Sequence, residues 1–86
     1  MQSDDLKTIT GAQVRAARAL LKLSADDLAK SASVGVATIR RAEASDGAPN
    51  MTAANNLALR RYLEAAGVQF IPENGGGAGV RLKKAT

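Results

Sequence analysis

The stretch Leu23-Ser24-Ala25-Asp26-Asp27-Leu28-Ala29-Lys30-Ser31-Ala32-Ser33-Val34-Gly35-Val36-Ala37-Thr38-Ile39-Arg40-Arg41-Ala42-Glu43 holds two short helical patterns divided by a tight break. Ser24 opens the first. Its hydroxyl can accept a free amide of the first turn, and Asp27 completes a capping box with Asp in place of Glu or Gln. Leu28, Ala29 and Ala32 recur at helical spacing and predict the inward face of a helix over Ala25–Ala32. Ser33-Val34-Gly35 interrupts the period. A further helix is predicted from Val36 to Ala44, with Ala37, Ile39 and Ala42 as small or branched packing residues.

Upstream, Thr10 is placed to cap a helix over Gly11–Leu21, whose apolar residues Val14, Ala17, Leu20 and Leu21 fall at three- and four-residue steps. Downstream, Asp46-Gly47 and Pro49 mark Ser45 to Asn50 as a loop. Thr52 caps a fourth helix predicted over Ala53–Ala66 and stopped by Gly67. Leu59, Leu63 and Ala66 give it an inner face, flanked by Tyr62. Arg60-Arg61 is placed on its solvent side, and Leu57 with Tyr62 reads as core. The period then changes. Val68-Gln69-Phe70-Ile71 and Val80-Arg81-Leu82-Lys83 predict one hairpin around a flexible Pro72-to-Gly79 connection, with Phe70 and Leu82 turned inward. An isolated hairpin is marginal in water, so this one must pack on the bundle or pair with another chain as a homodimer. The expected organisation is a mobile polar lead over residues 1–9, a bundle over 10–67, and a hairpin with a basic tail over 68–86.

A chain of 86 residues makes one domain and buries a modest fraction of its surface. It has no cysteine and no histidine, which removes disulfides, thiolate metal sites and the commonest general base. The glycine-rich run Asn74 to Gly79 has no following Lys-Ser/Thr pair or helix, so it is not a phosphate loop. Asp4-Asp5 and Asp26-Asp27 have no metal-ligand partners around them. No cofactor, no metal and no enzymatic activity are expected. No long apolar run is present, so no membrane partner is expected and the cytoplasm is the expected compartment.

The formal charge of +4 suggests a nucleic-acid partner, but its distribution argues otherwise. Residues Met1 to Gly75 carry nine basic and eight acidic side chains, a net of +1, and Arg81, Lys83 and Lys84 of the tail supply the rest.

The run from Leu23 to Glu43 resembles the Cro/C1-type, or XRE, helix-turn-helix family, and the resemblance extends over about Gly11 to Ala66. Ser24, Leu28-Ala29, Val34, Ala37-Thr38-Ile39 and Glu43 fall where that family has them. Arg18 falls where the family places an arginine that pairs with the glutamate matching Glu43. The resemblance implies a four- to five-helix bundle whose third helix can enter the DNA major groove. The fold expected is therefore mainly α, a helix-turn-helix bundle with a short C-terminal β-hairpin. The whole chain is also similar to the small helix-turn-helix antiactivators of rhizobial mobile elements, which bind a transcription activator instead of an operator.

The chemistry for reading DNA is thin. Where the family often has a phosphate-holding glutamine, this chain has Ala25, followed by Asp26 and Asp27. Acids there suit the helix dipole but repel phosphates. The usual base-reading positions match Val36, Ala37 and Arg41, with Thr38 and Arg40 nearby. Bidentate readers give roughly 1–3 kcal/mol of discrimination each, whereas Val36 and Ala37 offer at most a methyl contact to thymine. Gly35 stands where Ser or Thr is common, and Ser33 where Gly is common. An apolar spot at Val36 beside Arg40 and Arg41 suits a protein interface. The favoured expectation is an antiactivator that inhibits a transcription activator by contact. The alternatives are an XRE-type repressor reading a two-fold operator through its third helix, and an antitoxin-like partner.

Overall fold

The computed structural model describes residues 8–47 and 51–83. Residues 1–7 of the lead expected over 1–9, residues 48–50 of the loop expected over Ser45 to Asn50, and the end of the tail lie outside them. Four helices, α1 (Gly11–Leu21), α2 (Ala25–Ala32), α3 (Val36–Glu43) and α4 (Ala53–Ala65), precede β1 (Val68–Ile71) and β2 (Gly79–Leu82). The fold is a mainly α four-helix bundle with a short C-terminal antiparallel hairpin. No fifth helix is present among the described residues.

Local chemistry explains the helix starts. Thr10 accepts the Gln13 amide while the Gln13 side chain accepts the Thr10 amide; Ser24 and Asp27 do the same for α2, and Thr52 caps α4. The Thr10–Gln13 box is one the sequence reading missed. The α1 and α2 helices both end with a left-handed residue, Lys22 and Ser33, each with φ of 58°. Behind Ser33, the Val34 amide donates to Ala29 O and the Ser33 amide to Lys30 O, closing the last turn. This bend turns the chain from α2 into α3.

The core is made of Val14 and Ala17 of α1, Leu28, Ala29 and Ala32 of α2, Val34, Ile39 of α3, Leu59 and Leu63 of α4, and Val68 of β1, joined by Ile9. Ile9 is 2% exposed, so this residue of the expected lead is part of the core. The α3 helix packs on α1 and α2, α2 on α4, and the hairpin lies across α1 and α4. Gly11 lets α1 approach α3: a Cβ there would sit 1.9 Å from Ser45 O and 2.1 Å from Ala42 O. No described helix is long and apolar enough to cross a membrane.

In the hairpin Val68 faces Leu82 and Phe70 faces Val80. Gln13, itself buried, donates its Nε2 to Gly79 O at 2.9 Å and to Ile71 O at 3.4 Å, tying the loop end of the hairpin to α1. Several residues expected inside are not. Leu20, Leu57 and Leu82 are exposed large apolar residues, and Ala37 and Ala66 are exposed as well. Each lies on or beside a predicted apolar face, but no neighbouring element covers that face as far as these positions. Arg60 is the reverse case. It is mostly covered, pairs with Glu64 at 3.1 Å and lies over the Phe70 ring, so only Arg61 of the two arginines is on the solvent side.

Candidate functional site

The α2–turn–α3 unit presents the residues singled out above. Gly35 is the N-cap of α3 and contributes no side-chain cap, which leaves the first amides of α3 without the hydroxyl that Ser or Thr would bring. Ala25 and Val36 are half-buried and pack against the core, so neither methyl group is freely offered to a partner. Ala37 is exposed at the first turn of α3. Thr38 is half-buried, with its Oγ1 accepting from Arg41 Nη2 at 3.5 Å. Arg40 and Arg41 are both exposed.

Asp26 at the start of α2 stands 3.7 Å from the Arg40 guanidinium, with the two side chains 71% and 64% exposed. One of the two cations expected to hold a phosphate thus has an acid beside it. Asp27, also exposed, follows Asp26 on the first turn of α2, where it caps Ser24, and Lys30 is exposed one turn further on. On its other flank, Arg41 and Thr38 line a groove with Met51, Thr52 and Asn55 at the start of α4. Met51 and Asn55 were not legible as site residues, because only the packing of the chain brings the start of α4 beside α3.

Arg18 and Glu43 lie behind this face. Arg18 donates Nε and Nη2 to the two carboxylate oxygens of Glu43, each at 3.0 Å, and Nη1 to Leu23 O at 3.1 Å. The hydrogen bond to Glu43 raises the Arg18 pKa above its ordinary value, burial works against it, and the charge of Glu43 adds to the rise. Arg15 extends the network by donating to Glu43 O and to the Asp46 carboxylate. Its role is invisible in the sequence, since one acceptor is a backbone carbonyl. Among the described residues, no three His, Cys, Asp or Glu side chains gather to hold a metal ion.

The chain matches no family model. No curated protein matches it either.

Proposed function

We propose that this protein is a small transcriptional regulator of helix-turn-helix form that acts as an antiactivator, docking on a transcription activator and inhibiting it by contact. The proximity of Asp26 to Arg40, which sets an acid beside one of the two exposed arginines of α3, carries this reading. A DNA-binding face gains most of its affinity from uncompensated cations that displace counterions from phosphates. Here an incoming phosphate would meet Asp26 and Asp27 as well as the arginines. The exposed Ala37 gives the face a small apolar point of the kind found in the centre of protein interfaces. The similarity to helix-turn-helix antiactivators read from the sequence supports the same conclusion.

The substitution that tests it is Ala37→Glu, because Ala37 is exposed whereas Val36 contributes to packing. Capture of an activator from the native host by the intact protein should be lost in Ala37→Glu with the melting temperature unchanged. Capture that persists in this variant would remove the docking face from α3.

The groove beside Arg41 favours a second reading, an operator-binding repressor, since Thr38, Thr52 and Asn55 there could donate to a phosphate. A gel shift on the protein's own promoter separates the two. A nanomolar, sequence-selective shift at physiological salt, lost in Arg41→Ala, would establish the repressor.

A further inference from the structure

The hairpin has two edges, and the structure treats them differently. Lys83 N donates to Gly67 O at 2.7 Å, which makes Gly67 and Lys83 a hydrogen-bonded pair. Bonded pairs alternate along an antiparallel ladder. Gln69 with Arg81 and Ile71 with Gly79 are therefore bonded too, while Val68, Phe70, Val80 and Leu82 turn their amides and carbonyls outward. On the β1 edge Val68 is fully buried, and the Phe70 ring lies under Arg60 of α4. On the β2 side, Val80 is half-buried against the core and α1 packs on the strand, but Leu82 is 46% exposed and no described strand lies alongside. Arg81 and Lys83 alternate with them and are exposed.

We propose that the β2 edge accepts an extended protein segment of alternating apolar and acidic residues. An added strand would use the outward groups of Val80 and Leu82, and its side chains would continue the two faces of the sheet. Apolar side chains would lie beside Val80 and Leu82, and carboxylates beside Arg81 and Lys83. A second copy of this chain fits the edge less well. Antiparallel pairing of β2 with itself that sets Val80 opposite Leu82 centres on Arg81 opposite Arg81, where like charges are destabilising, and the register centred on Val80 sets Leu82 against Ala78, outside the strand. This edge is separate from the face around Ala37, and the proposal does not rest on the antiactivator reading.

The test is amide exchange and chemical-shift titration of the full chain with a capped hexapeptide of alternating valine and glutamate. The expected result is new protection at the Val80 and Leu82 amides and no binding of the matching valine–lysine peptide. Leu82→Pro removes an outward amide and leaves the internal ladder bonds, so it should weaken binding about tenfold or more while Arg81 and Lys83 stay protected. Arg81→Glu should weaken it roughly fivefold at low salt. N-methylation of the peptide amides facing β2 should abolish binding with the protein unchanged. Equal binding of the valine–lysine peptide would overturn the proposal. Protection of both amides in the free monomer, or protection that grows with protein concentration alone, would show the edge occupied by its own chain or a second copy, and would overturn it too.

Discussion

The two sides of α3 carry ion pairs of different kinds. On the α1 side, Glu43 receives two bonds from Arg18 at 3.0 Å, with the side chains only 10% and 27% exposed, and Gly11 brings the α1 backbone against the end of α3. On the α2 side, Arg40 stands 3.7 Å from Asp26 with both side chains mostly in water. Geometry of the first kind fixes two helices, because a partly buried arginine that loses its carboxylate keeps only part of its hydrogen bonding, here the bond to Leu23 O. Geometry of the second kind contributes little to stability and is open to exchange with a partner. One helix is therefore tied to the fold on one side and carries, on the other, the face proposed for recognition.

Gly11→Ala should break the structural side most severely. Its methyl would collide with two backbone carbonyls, a cost of about 3 kcal/mol. For a domain of this size that corresponds to a fall of roughly 12–24 °C in melting temperature. A fall of only a few degrees would mean that α1 and α3 are free to slide apart.

Glu43→Ala should cost about 2 kcal/mol by chemical denaturation, between the values for surface and buried pairs. Because the folded-state pKa of Arg18 is raised, the stability it contributes is complete below its unfolded pKa and is lost only as pH rises through the folded value, in strong alkali. Arg18 should thus add no pH dependence near neutrality. A substitution as mild as one on the Asp26 side would remove the contrast between the two pairs.

Ser33 joins the two sides through the bend before α3. With φ of 58° it occupies a region that glycine enters without strain, so Ser33→Gly should stabilise the fold by about 0.5 kcal/mol after the added chain entropy is offset. A loss of stability in the same denaturation experiment would mean that the serine side chain is needed at the bend.

Asp26→Asn should change stability least, by no more than about 0.5 kcal/mol. Its effect should appear in weak, non-specific DNA binding: with Arg40 released, the salt dependence should steepen by about one phosphate contact. An unchanged slope would mean that Arg40 does not face the ligand side.

The sequence by itself determined the helices, their caps and the bend. These depend on residues three or four positions apart, such as Ser24 with Asp27 or Thr52 with the turn after it. It also determined that Arg40 and Arg41 would be exposed on α3, because the period places Ile39 and Ala42 on the opposite face. Periodicity names a face without saying how far a neighbour covers it, which is why Leu20, Leu57 and Leu82 stand exposed and Ile9 is buried. Only the tertiary structure decided that Gly11 must lack a side chain, that Gln13 holds the hairpin 66 residues away, and that Asp26 stands beside Arg40. Those contacts join distant segments, and several end on backbone atoms. Every residue carries the same backbone atoms, so no residue type in the sequence announces them.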